Sequence, residues 1–412
     1  MRKNRRLITV LIVFLGFTSP LSTDMCLPAL SIMASDFGVP NSQINLIVIV
    51  FFFFMALCTL IAGPLSDRFG RKRVMLASLA LFVIGNLACS VSQNLGILIL
   101  GRAVSACGAG GMLNSSTALT KDAFQGKARD RTLSIVQVFQ IVAPLLSPVI
   151  GAQLITHFDW HSIFIVLASV GIFEVVLACF QPETQPEDER GATSMGDTFR
   201  MLGRILKNRP FMTMLIACGC LQACFMAYLA SSSYIYQQEF GVSPTVYSFF
   251  FSASALVTMG APLFYMRVLY GRVPEKTIYR RAQRLILTGG ICITVVGLAK
   301  QAGLLSGLGI GAPFLFWLSF LLVGFDNSIA RPLGMSILLR QFSKGAGTLS
   351  ATINFGLYLI GLIGMCIASL DWPDYVLALG GIIIVICLVA IVLFAIVSRP
   401  DSGLSWEKED QE

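Results

Sequence analysis

The sequence predicts an all-α membrane protein: twelve transmembrane helices in two six-helix halves. Three observations lead there. Hydrophobic residues make up 55 % of the 412-residue chain and charged residues only 13 %, against about 25 % charged in an average globular chain. The apolar residues fall in twelve runs, each able to cross about 30 Å of hydrocarbon at about 1.5 Å per residue. Lysine and arginine gather in alternate connections between those runs, as the positive-inside rule requires of a multi-pass chain.

Segment 1, residues 7–33, follows Arg2, Lys3, Arg5 and Arg6 and at first resembles a secretory signal. It is too long for a signal core and lacks a small-residue cleavage site, so it is read as a retained spanning helix. Segments 2 and 3, at 43–63 and 74–92, flank a charged turn, Gly63 to Lys72. Segments 4, 5 and 6 lie at 96–119, 132–156 and 161–181. Segments 7 to 12 lie at 210–236, 244–266, 282–303, 309–337, 346–369 and 374–398.

One long polar stretch, Gln181 to Arg209, separates six segments from six. Its first part, with Pro182, Glu183, Pro186, Glu187, Asp188 and Glu189, has a composition that cannot bury a core. Its last part, Thr198 to Lys207, alternates apolar and basic residues at helical spacing and is read as a helix flat on the inner leaflet. The expected division is 1–181 for the first half, 182–209 for a cytoplasmic linker, 210–398 for the second half and 399–412 for a cytoplasmic tail.

Orientation follows from charge. With both termini cytoplasmic, 27 of the 30 Lys and Arg residues fall on the inner side. Lys300 alone is external, and Arg102 and Arg331 lie within helices. The net charge of +8 is therefore a matter of topology and not of nucleic-acid binding. The eleven cysteines fall in or beside apolar runs with no metal-ligand spacing, and read as packing residues. No phosphate-binding loop, metal set or nucleophile–base arrangement stands out, so no enzyme activity and no cofactor are expected.

Several stretches carry more than topology. The turn Gly63-Pro64-Leu65-Ser66-Asp67-Arg68-Phe69-Gly70-Arg71-Lys72 places two glycines for a reversal and an aspartate able to cap the next helix. Segment 4 holds Arg102 in Leu100-Gly101-Arg102, and an arginine there needs a partner. Asp24 on segment 1 lies at a similar depth, about 9–13 Å by helix rise, and is the expected partner. Segment 5 carries Pro144 and Pro148, two prolines that bend a helix, followed by Gly151.

These residues resemble the motifs of the major facilitator superfamily, whose fold sets two six-helix halves around a central cavity. Ser22-Thr23-Asp24-Met25-Cys26-Leu27-Pro28-Ala29-Leu30 looks like the D-M-Y-L-P-A-L signature of the Bcr/CflA drug:proton antiporters, with Cys26 where an aromatic is usual. Trp160-His161-Ser162-Ile163-Phe164 resembles W-R-x-I-F with His161 for Arg. Ser232 to Gly241 resembles S-P-F-V-Y-Q-E-x-F-G, and Gly345 to Ala351 resembles A-G-T-A-S-A. The resemblance implies a conformational latch at Gly63, Asp67, Arg68, Gly70 and Arg71, and an antiporter-type kink at Pro144, Pro148 and Gly151. It also implies proton coupling through Asp24 and Arg102. The bland readings are a basic turn, a structural ion pair and a kink without bearing on direction.

Other polar groups sit inside apolar segments. Glu174 is either a second proton site, an anchor for a cation or a lipid-side outlier. Asp326 and Arg331 on segment 10 are five residues apart, about 140° around a helix, and so do not face each other. Both are read as cavity residues, with Asn114, Gln137, Gln140, Gln222, Tyr228, Tyr234, Asn354 and Tyr358. The expected function is proton-coupled efflux of small, drug-like or amphipathic molecules by alternating access, from a monomer in a bacterial inner membrane driven by the proton gradient. A proton-coupled metabolite transporter on the same fold, exporter or importer, is the alternative. A non-transporting membrane scaffold is disfavoured by the expense of intramembrane charge.

Overall fold

The computed structural model describes residues 2–184, 195–342 and 346–399. The acidic stretch Pro186 to Glu189, Gly345 and the tail 400–412 lie outside the described residues. Among those described, all regular structure is helical, and twelve helices are long and apolar enough to span a membrane. They are α1 (Leu7–Phe37), α2 (Asn41–Phe69), α3 (Arg71–Ser90), α4 (Leu95–Ala123), α5 (Gly126–His157) and α6 (His161–Cys179). Then follow α7 (Arg209–Glu239), α8 (Pro244–Leu269), α9 (Glu275–Gln301), α10 (Gly311–Leu339), α11 (Leu349–Ala368) and α12 (Tyr375–Val397). By contacts the chain forms two compact units, Met1–Arg200 and Met201–Glu412. A further helix, Met195–Lys207, contains the basic amphipathic stretch of the linker.

Short polar side chains start many of these helices. Asn94, Asn208, Ser243 and Asp374 each accept from the backbone N–H three residues on, at 2.9, 3.1, 3.3 and 2.9 Å. Each satisfies a donor that the first helical turn leaves free, which hydrocarbon cannot do.

The first unit departs from the sequence expectation at two helices. The turn expected over Gly63 to Lys72 is largely helix: α2 continues through Pro64 to Phe69, and α3 begins at Arg71. The reversal rests on Gly70, whose φ of +95° suits a residue without Cβ. Gly63 is inside α2, beside Asn114 of α4. Span α1 is interrupted instead. Its helix Arg2–Asp24 gives way to a single tight turn, Leu27–Ala29, before helix resumes at Leu30. Pro28 supplies no N–H there, so the ladder cannot run through.

Close packing comes from α4. A Cβ at Gly108 would overlap the backbone of Phe82 and Ser78 on α3, and one at Gly110 the carbonyl of Met55 on α2. Backbone thus meets backbone on two sides, the arrangement that small residues permit within membranes. Helix α5 runs unbroken through Pro144 and Pro148.

At the helix ends remote from Gly70, one turn clamps two others. Trp160 is buried, donates through Nε1 to Asp36 at 2.7 Å, and packs on Phe37 with ring centroids 5.4 Å apart. His161 stacks on Trp160 and places Nδ1 2.6 Å from Asp159 and Nε2 3.2 Å from the Ser92 carbonyl. Burial pushes the Asp159 carboxyl up, but hydrogen bonds from the His161 amide and ring and the ring's charge hold it below the usual carboxylate range. Its contribution is therefore present at neutral pH and lost as pH falls through that lowered value.

The second unit carries its own staple. Lys300 of α9 donates to Glu239 at 2.6 Å and Asp374 at 3.2 Å, and the Tyr375 amide also donates to Glu239. Glu239 closes a wide i→i+5 turn, Ile235–Glu239, that ends α7. The staple joins the ends of α7, α9 and α12. At the other ends Arg340 pairs with Glu275 at 2.6 Å. The interior between is aromatic, with Tyr228 stacked on Phe320 and Tyr236 against Phe250 and Phe316.

Trp160→Phe, which keeps the ring and loses the donor, is expected to cost about 1 kcal/mol. Trp160→Ala is expected to cost about 3–5 kcal/mol. Thermal unfolding of the purified protein in detergent checks both; equal midpoints for all three proteins would show that the clamp carries no stability.

Candidate functional site

In the first unit the buried polar residues gather around the break in α1. Asp24 stands at the last residue before the break and is 7 % exposed. Its one side-chain partner among the described residues is the Thr23 hydroxyl, 3.1 Å away. On the far side of the break, Gly151 of α5 faces the Met25 carbonyl so closely that a Cβ would collide with it. The third residue of the expected kink therefore serves as the place where α5 passes α1.

Arg102 corrects the expected pair with Asp24. It is fully buried, yet its guanidinium bonds the Ser22 carbonyl and hydroxyl, each at 3.3 Å, and the Ile47 carbonyl at 3.4 Å. The group also lies 4.0 Å from the centroid of the Phe51 ring, a cation–π contact. Among the described residues no carboxylate pairs with Arg102. Arg102 meets α1 at Ser22, two residues from Asp24. Two residues are about 200° around a helix, so contact with Ser22 leaves Asp24 on another face.

Glu174 is not on the lipid side. It is fully buried in α6, with the Thr18 hydroxyl of α1 donating to Oε1 at 2.5 Å. Its Oε2 has no partner among the described residues. Nothing in the sequence points to Thr18, which looks like an ordinary small residue in an apolar run.

The charged turn is held by residues from four helix ends. Arg71 pairs with Asp67 at 2.6 Å and with Asp122, near the end of α4, at 2.9 Å, and its Nη1 donates to Ser66 at 3.2 Å. Arg68 is exposed, with its guanidinium 5.3 Å from the Phe69 ring. Asp67 does not cap α3, contrary to expectation. The cap is Glu183, just past α6, which accepts from the amides of Arg71 at 3.0 Å and Lys72 at 3.2 Å. A carboxylate at a helix N-terminus gains from two free donors and the helix dipole together. Lys72 adds a bond to the Cys179 carbonyl at 2.9 Å. Glu183 and Asp122 are distant in sequence from the turn, so no local signal pointed to them.

The remaining candidates divide by burial. Asn114 is half-buried beside Gly63, Gln140 lies next to Gly16 where α1, α4 and α5 meet, and Gln137 is exposed. In the second unit Tyr228 and Tyr234 are buried in the interior, against Phe320 and Tyr375 respectively, and line no open surface. Gln222 is buried against Gly361, with Oε1 unpartnered among the described residues. Asp326 is also buried. Arg331, Asn354 and Tyr358 are half-buried; Asn354 donates to Ser350 at 3.0 Å, and Arg331 lies over the Tyr358 ring at 5.5 Å. No cluster of three or more His, Cys, Asp or Glu fit to hold a metal occurs among the described residues.

A family model described as Major Facilitator Superfamily matches residues 12–365. The chain belongs to the major facilitator superfamily. Among curated proteins it is 30 % identical over 297 residues to "Uncharacterized MFS-type transporter YdgK" of Bacillus subtilis, covering 71 % of this chain and 73 % of that one. It is 26 % identical over 383 residues to "Multidrug resistance protein MdtL" of Klebsiella pneumoniae, covering 92 % and 93 %. Among solved structures, a D-xylose-proton symporter superposes with a TM-score of 0.71 at 13 % identity, over 97 % of this chain and 98 % of that one. As a major facilitator protein this is a multi-pass membrane transporter of small molecules, not an enzyme.

Because Arg102 and Asp24 are not paired, their substitutions should separate. Arg102→Gln strands the acceptors of Ser22 and Ile47 and empties the space over Phe51, a loss of about 2–4 kcal/mol. Asp24→Asn should stay within about 1 kcal/mol of the parent, whereas breaking a buried ion pair would cost about 3–5 kcal/mol. Denaturation of the two variants in detergent tells these cases apart.

Proposed function

We propose that this transporter is a proton-coupled exporter of small molecules in a bacterial inner membrane, of the Bcr/CflA drug:proton antiporter type. The observation that carries the reading is Asp24: buried, bonded only by Thr23 among the described residues, and set at the interruption of α1. An intramembrane carboxyl without a cation takes up and releases a proton without breaking an ion pair, and such residues mark proton paths. The proline-rich stretch of α5 and the likeness to MdtL, named a multidrug resistance protein, support export. The concentration of basic residues in alternate connections supports cytoplasmic termini.

In the proposed cycle Asp24 is protonated when the outside has access and deprotonated when the inside does. The Thr23 contact and the broken backbone beside it respond to that change. Arg102 acts at a distance through its charge, held in place by Ser22 and Phe51. Substrate and proton then influence each other through the charge of one region, which is a coupling free energy without shared contact. Asp67 and Arg71, with Asp122 and Glu183, serve as the latch at the Gly70 end; Glu174, paired with Thr18, is a second group available to a proton. The protein works as a monomer.

Proton-coupled import or metabolite exchange is the second reading, since the same fold serves a protein named a proton symporter. Inverted vesicles carrying the protein and a pH-sensitive dye separate the two. Efflux predicts that adding a substrate collapses an imposed gradient and that Asp24→Asn abolishes the response while inserting normally. A full response in Asp24→Asn removes Asp24 from the mechanism. Accumulation only in vesicles of native orientation reverses the direction.

A further inference from the structure

Arg102 of α4 and Arg331 of α10 both lie inside spanning helices, and the protein treats them differently. The donors of Arg102 reach three acceptors and its plane covers Phe51, so its charge is held within its own unit. Arg331 has the opposite surroundings. It lies eight residues before the end of α10, about 12 Å by helix rise. Its guanidinium sits 5.5 Å from the centroid of the Tyr358 ring, yet it makes no hydrogen bond or ion pair among the described residues. Asp326 on the same helix makes none either, and the two are about 140° apart around the axis.

The two unpaired charges are not equivalent. A carboxyl stranded in hydrocarbon can neutralise itself by taking a proton, whereas a guanidinium stays charged at any physiological pH. Arg331 therefore keeps a full positive charge where such charge is expensive without a counter-ion. It lies over Tyr358, twelve residues into the helix Ala346–Ala368, about 18 Å from that helix's start. The contact with the Tyr358 ring is a cation–π one and leaves the N–H edge without a hydrogen-bond partner among the described residues. That edge is the fork that matches the two oxygens of a carboxylate, sulfonate or phosphate. Arg331 is half-buried and so not sealed within its unit.

We propose that Arg331, beside the Tyr358 ring, is the anchor for an oxyanion of the transported molecule, and that the substrates are amphipathic organic anions. The inference rests on the chain's being a transporter and not on its direction or its proton coupling. A carboxylate or sulfonate head bonds the guanidinium edge, and the apolar body lies along the surrounding helices. Arg331 thereby selects against cations, which it repels, and against neutral analogues, which leave its donors unmatched.

Ligand-induced thermal shift of purified protein tests this without any gradient, so a failed proton-antiport assay leaves it standing. The probes are naphthyl, biphenyl and decyl compounds, each as carboxylate, sulfonate, primary amide and primary ammonium, with the protein in phosphatidylcholine nanodiscs. Carboxylates or sulfonates should bind about tenfold or more tightly than the matching amide, as a charge-assisted two-point contact implies. Arg331→Gln should remove that preference and Arg331→Lys should retain only part of it. Since the Tyr358 ring is the one contact of the Arg331 guanidinium recorded among the described residues, both variants should unfold near the parent midpoint. If Arg331→Gln does not fold, the comparison of Arg331→Lys with the parent decides. Amides or ammonium compounds binding as well as anions, anions binding equally to parent and Arg331→Gln, or no anion binding at all would each overturn the assignment. Repeating the titration with phosphatidylglycerol present covers the other source of oxyanion. Loss of probe binding there, with stabilisation by that lipid only when Arg331 is present, would assign the site to a lipid headgroup and overturn the substrate claim.

Discussion

The first unit depends on how closely α4 is allowed to approach its neighbours. Where Gly108 and Gly110 face Phe82, Ser78 and Met55, helix axes come together without intervening side chains. In lipid there is no hydrophobic drive between helices, so contact of this kind and internal hydrogen bonds supply the cohesion. The approach also sets the position of Arg102, which needs Ser22 and Ile47 within 3.4 Å and Phe51 beneath it. A bulkier α4 would push the guanidinium off all of them at once.

Charge in this protein is therefore sorted by whether the surrounding unit answers it. In the first unit Arg71 is shared between two aspartates, and in the second Lys300 is shared between two carboxylates. These groups are partly exposed and serve to tie helix ends. Within the spans Arg102 is well answered, whereas among the described residues the others have little: one hydroxyl for Asp24, one for Glu174, an aromatic ring for Arg331. A buried group left short of partners is costly to keep, which is why such groups coincide with transport function more often than with stability.

Much of this was legible in the sequence, for a physical reason: a bilayer imposes length and apolarity on every spanning segment, and both are written locally. All twelve spans follow from that. The misreadings arise where a three-dimensional coordinate is needed. Proline does not always end a membrane helix, so α2 runs past Pro64, while Pro28 does interrupt α1. Depth gave the level of Arg102 but not the side of α1 that it meets. Glu183 looked like one acid in a polar linker, and only the fold brings it to the first turn of α3. Tyr228 and Tyr234 carry hydroxyls and so read as polar, although their rings belong to an aromatic interior.

The meeting of Gly151 with the Met25 carbonyl has a mechanical meaning. Main chain rests on main chain there, with no side chain between that could rotate away and absorb a displacement. Packed interiors transmit strain and yield little. Any widening of the break after Asp24 must carry the adjoining stretch of α5 with it, and any bend of α5 at Pro144 or Pro148 presses back on that break. The acid and the proline pair thus form two arms of one lever, with Gly151 as its bearing.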